Sequence, residues 1–373
     1  MKVFFKNLNS LRFIAASLVI IHHTEQYKWF NGLHHYFNNP IIILFGKLGV
    51  DIFFVLSGFL ITSLLVIEKE RFGRIAIRKF YIRRILRIWP LYFLVAALAF
   101  LVWPHIPALH ISQMPNPYDH LWENALLILF FLPNIQYLLF RAIPYQAQSW
   151  SIGVEEQFYL VWPFLMNWSK TRLQFKRIVI ILLAAYVIIK LAFYFIPLIT
   201  GRFKMLDDLD FYLSDIFQID CMMIGSLFGL LNFENKARQL LTGTFVQVAA
   251  YLLAIGFLSF GLNFGYFYWE IYGVLFGIII FNLVNTDTSI ISLEFKWMDY
   301  LGKISYSMYM LHVLVVNIVI RFISHNSFII YPLVFLFTII ISIASYELFE
   351  KRFLKYKSGF AKVQSGSDPK VGM

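Results

Sequence analysis

Arg12 and His23 lie eleven positions apart in the first apolar run of the chain. On a helix this interval is about three turns plus roughly 20°, so both side chains share a face, about 16 Å apart along the axis. A histidine in that setting can take up and return a proton near neutral pH. His22, rotated by about 100°, is expected to pack or to support its neighbour. A second group is Arg83, Arg84 and Arg87 in the run RRILRIWP. Arginine offers planar, paired donors suited to phosphate, so these three are candidates for an anionic ligand, whereas Arg78 and Lys79 read as a flank at the water interface. The third group is Glu155 and Glu156 in SWSIGVEEQFYLVWP. A carboxylate beside a histidine can orient it and stabilise its protonated form, as acid–base chemistry needs. Periodicity does not decide which glutamate faces inward.

All three groups sit in a strongly apolar chain. Hydrophobic residues make up 60% of it and charged residues only 14%, with a mean hydropathy of +0.69; soluble domains carry about 25% charged residues. Spans are expected at roughly 10–27, 41–67, 80–103, 150–168, 178–197, 211–231, 240–260, 267–284, 304–323 and 328–349. The apolar stretch 121–140 is interrupted by Pro133-Asn134, and neither half is long enough to cross. If it dips and returns, 21 Lys and Arg fall on one side and 4, at Lys28, Arg141, Arg202 and Lys204, on the other; if it crosses, the split is 10 against 15. The positive-inside rule selects the dip. The expected fold is an all-α integral membrane protein with about ten transmembrane helices, both termini cytoplasmic, and a membrane-dipping segment near 121–140. A membrane domain over 1–355 would be followed by a basic, disordered tail over 356–373. Glu155 and Glu156 would then lie five or six residues into a span entered from outside, level with His23.

Ionisable groups inside a membrane are costly and default to functional candidates. Weaker signals are Asp51 and Ser57-Gly58 in GVDIFFVLSGFLIT, Asp220 in QIDCMMIGSLFG, and Ser305, Tyr309 and His312 along one stripe of SYSMYMLH. Ser57 has a packing alternative, because small residues let membrane helices approach closely. Cys221 is the one cysteine, which excludes an intramolecular disulfide and a cysteine zinc site. His34-His35, His105 and His110 lack metal-ligand spacing, so no metal is expected. Nucleotide-binding glycine motifs are absent, and the net charge of +11 belongs to cytoplasmic loops rather than to a nucleic-acid surface. No cleavable signal peptide is expected, since Arg12 interrupts the first apolar run.

Arg12-X10-His23, GVDIFFVLSGFLIT, RRILRIWP, SWSIGVEEQFYLVWP and SYSMYMLH, in this order, closely resemble the acyltransferase-3 family of integral membrane acyltransferases. The resemblance runs from about residue 8 to 350, and it looks like the stand-alone type without a C-terminal hydrolase-like domain. It implies a ten-helix module that moves an acyl group, commonly acetyl from acetyl-CoA, to a hydroxyl of a surface polysaccharide, an O-antigen or peptidoglycan. Acyl-CoA would be a donor substrate rather than a bound cofactor, and the partners would be a carbohydrate or glycolipid acceptor and the bilayer.

The same resemblance assigns His23, with Glu155 and Glu156, to catalysis. Arg12, Arg83, Arg84 and Arg87 would hold the CoA phosphates near the cytosol while the pantetheine arm reaches toward His23. His23 would act as a general base on the acceptor or would be acylated first, with a glutamate orienting it. The rival class is a transporter or flippase using buried His, Glu and Arg as a proton relay. It is disfavoured by the lack of an internal repeat and by the clustering of polar groups in the N-terminal half.

Overall fold

A computed structural model describes residues 2, 3, 5–200, 204–357, 360, 364 and 365. In chain order, α1 (Leu8–Phe30), α2 (Pro40–Phe72) and α3 (Ile77–Leu101) come first. Two short helices, α4 (Leu121–Leu129) and α5 (Pro133–Phe140), precede α6 (Trp150–Trp168) and α7 (Arg172–Thr200). Next, α8 (Lys204–Phe211) leads through a π turn at Tyr212–Ile216 into α9 (Ile219–Leu231). The pair α10 (Asn235–Leu241) and α11 (Thr244–Ser259) bends by 58°. The chain continues with α12 (Tyr268–Val284), α13 (Lys296–Lys303), α14 (Ser305–Phe322), α15 (Ser327–Ser345) and α16 (Lys351–Lys357).

Each expected span coincides with a helix, and the fold is that of an all-α integral membrane protein. Among the described residues, seven helical segments are long and apolar enough to cross a membrane, or eight if the bent pair is one span. The other two expected spans, α1 and α6, have 23 and 19 residues. They carry Arg12, His22 and His23, and Glu155 and Glu156 respectively, which makes them polar for their length. Two-residue segments β1 (Lys2–Val3) and β2 (Gln364–Ser365) pair in parallel, joining residues far apart in the sequence. The expected tail, 356–373, lies mostly outside the described residues, as does Arg202.

Local sequence explains the main boundaries. Asn39 accepts a hydrogen bond from the Ile41 amide and Pro40 opens α2, whereas Gly73, at φ 70°, closes it in a left-handed cap. In between, α2 runs 33 residues, about 50 Å, and is the most enclosed span, with 78% of its apolar window buried against 17% for α7. Helix α9 packs very tightly on α2. A Cβ at Gly58 would sit 1.9 Å from the Met222 carbonyl oxygen, and one at Gly225 equally close to that of Val55. These reciprocal glycines bring two backbones into contact, as small residues do in membrane bundles.

The segment 121–140 is broken as expected. At 9 and 8 residues, α4 and α5 each cover only about half a bilayer core. Phe131, between them, has φ 57°, and its ring stacks on Tyr92 at 4.5 Å. Asn134, fully buried, exchanges hydrogen bonds with Gln157 on α6 at 2.9 and 3.2 Å. The break between the two halves is thus packed against α3 at Phe131 and against α6 at Asn134, and irregular backbone at membrane depth is tolerated where protein buries it.

Candidate functional site

Helices α1, α2, α3, α6 and α14 line a partly open cavity with about 720 Å³ of empty space, the solvent at its mouth included. Arg12, Arg84 and Arg87 line it together with Glu155, and Phe53, Phe54 and Ile88 supply much of its apolar wall. The Arg12 guanidinium donates to Asn9 at 2.9 Å. Arg84 lies over the rings of Phe80 (5.5 Å) and Tyr159 (5.2 Å), and its Nε has no hydrogen-bond partner. Three cations against one carboxylate leave the cavity net positive, a setting that attracts an anion.

The arginines divide by helix face. Arg84, Arg87 and Ile88 point into the cavity, while Arg83, 100° away from Arg84, turns to Glu68 on α2 at 3.5 Å and donates to the Phe360 carbonyl at 2.9 Å. Of the four arginines expected to hold an anionic ligand, Arg83 is thus the one not brought to the cavity. The two glutamates divide similarly. Glu155 faces the cavity and accepts from Ser57 at 2.5 Å, and Glu156 faces Trp89, whose indole donates at 3.4 Å.

Neither glutamate is hydrogen-bonded to His23, contrary to the expectation from sequence. The reason is depth. Antiparallel contacts of α1 with α2 place Gly49 against Ala15 and Val19, and His22 against Ile42. Ser57, two turns beyond Gly49, is therefore level with the start of α1 near Arg12. The segment before α6 descends into the bundle, so Trp150 meets Phe54 (6.0 Å) and the helix starts well inside. Glu155 consequently sits at the arginine level, not at the level of His23.

The ring that His23 does meet is His312. Its Nε2 lies 2.9 Å from His23 Nδ1, across 289 positions of sequence. Helices α1 and α14 run parallel in register: Gly302, just before α14, packs on Asn9, His312 on His23, and Arg321 on Asn31. One turn before His312 on α14, Tyr309 lines the cavity, bonded to Ser151 at 2.8 Å and to the Gln148 carbonyl at 2.9 Å. The Tyr309 ring packs 6.0 Å from His312 and 5.9 Å from Phe53. An axis results, from arginines level with the start of α1, through an apolar wall, to Tyr309 and then the histidine pair. His22 contacts the Ile42 carbonyl at 2.8 Å, a packing role as expected.

Ser151 and Tyr159 were not anticipated, although their spacing with Glu155 (151, 155, 159) marks one helical face. Lys190 on α7, also unanticipated, is fully buried in an ion pair with Glu270 at 2.5 Å, away from the cavity. No cluster of histidine, cysteine or carboxylate residues able to hold a metal occurs among the described residues.

Comparison with known proteins agrees with these motifs. A family model described as an acyltransferase domain, that of acyltransferase-3, matches residues 5–347. Peptidoglycan O-acetyltransferase OatA of Listeria monocytogenes is 26% identical over 330 residues, which is 82% of this chain and 48% of that protein. O-acetyltransferase OatA of Staphylococcus aureus is 31% identical over 179 residues, 46% of this chain and 26% of its own length. The chain thus spans half or less of the curated relatives it matches. No solved structure matches it. The chain belongs to the acyltransferase-3 family.

Proposed function

We propose that this acyltransferase-3 member is a multi-pass enzyme of a bacterial plasma membrane that moves an acetyl group from acetyl-CoA to a carbohydrate hydroxyl of the cell envelope. Peptidoglycan is the favoured acceptor, after the activity for which the Listeria relative is named. The observation that carries the reading is the axis from a positively charged, partly apolar cavity to a histidine pair. Arg12, Arg84 and Arg87 suit the phosphates of a cytosolic polyanion, and the positive-inside rule puts that end in the cytosol. The apolar wall suits the pantetheine arm.

In this reading the acceptor oxygen attacks the thioester carbonyl while His23 takes the hydroxyl proton. Collapse of the tetrahedral intermediate breaks the C–S bond, and the CoA thiolate leaves and receives that proton. A base so placed contributes about 10²–10⁴ in rate. Arg83, tied to Glu68, would support the fold rather than the donor.

The test is release of free CoA thiol from acetyl-CoA by detergent-purified protein given muropeptide acceptors, with His23→Ala alongside. Detergent removes the two compartments a transporter needs, so thiol release that depends on acceptor and on His23 supports transfer. A protein that consumes no acetyl-CoA, or a fully active His23→Ala variant, refutes it.

A further inference from the structure

We propose that His312 is the positioning residue for His23, fixing its tautomer so that Nε2 keeps a free lone pair to act as the base; this rests on the acyl-transfer reading above. Hydrogen-bond roles around the pair leave one assignment. His312 Nδ1 lies 2.8 Å from the Tyr309 carbonyl oxygen and 3.2 Å from that of Met308. Carbonyl oxygens only accept, so Nδ1 carries the proton and, in the neutral ring, Nε2 is bare. His23 Nδ1, 2.9 Å from that bare nitrogen, must then be the donor. A second contact requires the same: His23 Nδ1 is also 3.1 Å from the Val19 carbonyl oxygen. Both lines put the His23 proton on Nδ1 and leave Nε2 as the base.

Burial separates the two roles. His312 is fully buried, with both ring nitrogens engaged, and has no free nitrogen to offer a substrate. His23 is half-buried, and its Nε2 makes no hydrogen bond among the described residues. The pair also changes character during the reaction. As Nε2 takes a proton the His23 ring becomes cationic, and its Nδ1–H to His312 becomes a charge-assisted bond, which is shorter and stronger. His312 therefore acts more on the transition state than on donor binding, an effect that appears in kcat. Val19 lies on the same helix as His23 and moves with it, whereas His312 belongs to α14 and anchors the ring against a second element.

The experiment compares His312→Phe, which fills the space and offers no acceptor, with His312→Gln, whose amide oxygen can take the Nδ1–H bond. Both are assayed by CoA-thiol release in purified full-length protein of matched thermal stability. His312→Phe is expected to lower kcat about 10- to 100-fold, with KM for acetyl-CoA within about twofold of wild type, and His312→Gln to recover most of the loss. A Phe variant as active as wild type, or a Gln variant as inactive as Phe, overturns the proposal; the latter would make His312 a proton carrier itself. Activity surviving in His23→Ala instead refutes the parent reading, so the two failures are distinct.

Discussion

Arg83 and Arg84 are adjacent in sequence, yet their replacement should do opposite things. Arg84 faces the cavity with its Nε unpaired, and Arg83 lies against Glu68, with side chains 10% and 2% exposed. Losing one charged donor to a phosphate costs about 1.5–3 kcal/mol. Arg12 and Arg87 remain to share the load, so Arg84→Met should take the lower half of that range and raise KM for acetyl-CoA by about 10- to 40-fold. For Arg83→Met the relevant quantity is a buried pair left half-made, worth about 3–5 kcal/mol at full burial and close contact. The 3.5 Å separation and the bond Glu68 retains from the Ala76 amide at 2.8 Å reduce this to about 2 kcal/mol. That loss should lower the thermal midpoint in detergent and leave KM within about twofold. Steady-state kinetics and a thermal-shift series on both variants decide it. Equal rises in KM would show that Arg83 reaches the donor after all and would refute the face assignment.

Two further outcomes follow from the same geometry. Glu155→Gln removes the one carboxylate that lines the cavity among the described residues, so free CoA should bind about three- to tenfold tighter while Glu156→Gln leaves its affinity unchanged; product-inhibition constants measure both, and an effect confined to Glu156 would reverse the assignment. Gly225→Val would drive a side chain into the Val55 carbonyl, 1.9 Å from where its Cβ must lie, so no monodisperse protein is expected by size-exclusion chromatography, whereas Gly256→Ala, with open space around it, should behave as wild type.

Hydropathy and charge asymmetry carry the bundle in plain view. Each expected span meets a helix, and Pro133-Asn134 marks the real break between α4 and α5, because length and charge are properties of contiguous sequence. Position around and along an axis is less legible. Arg83 and Arg84 are each near Arg87 on the helix surface, so only the packing of α2 reveals which one turns to Glu68. The depth of the glutamates was misplaced for a related reason. Residues 141–149 carry a single charge, Arg141, and hydropathy cannot distinguish a loop at the surface from one that descends to start α6 beside Phe54. His312 shows the limit from the other side: the stripe of Ser305, Tyr309 and His312 is visible, but its partner is 289 positions away. The parallel register of α1 and α14 turns that stripe into a site. It sets Ser305 and Tyr309 along the cavity and carries the next polar residue, His312, onto His23. A polar stripe on one membrane helix is thus ambiguous until a second helix of matching register meets it, as α1 meets α14 at His23 and His312.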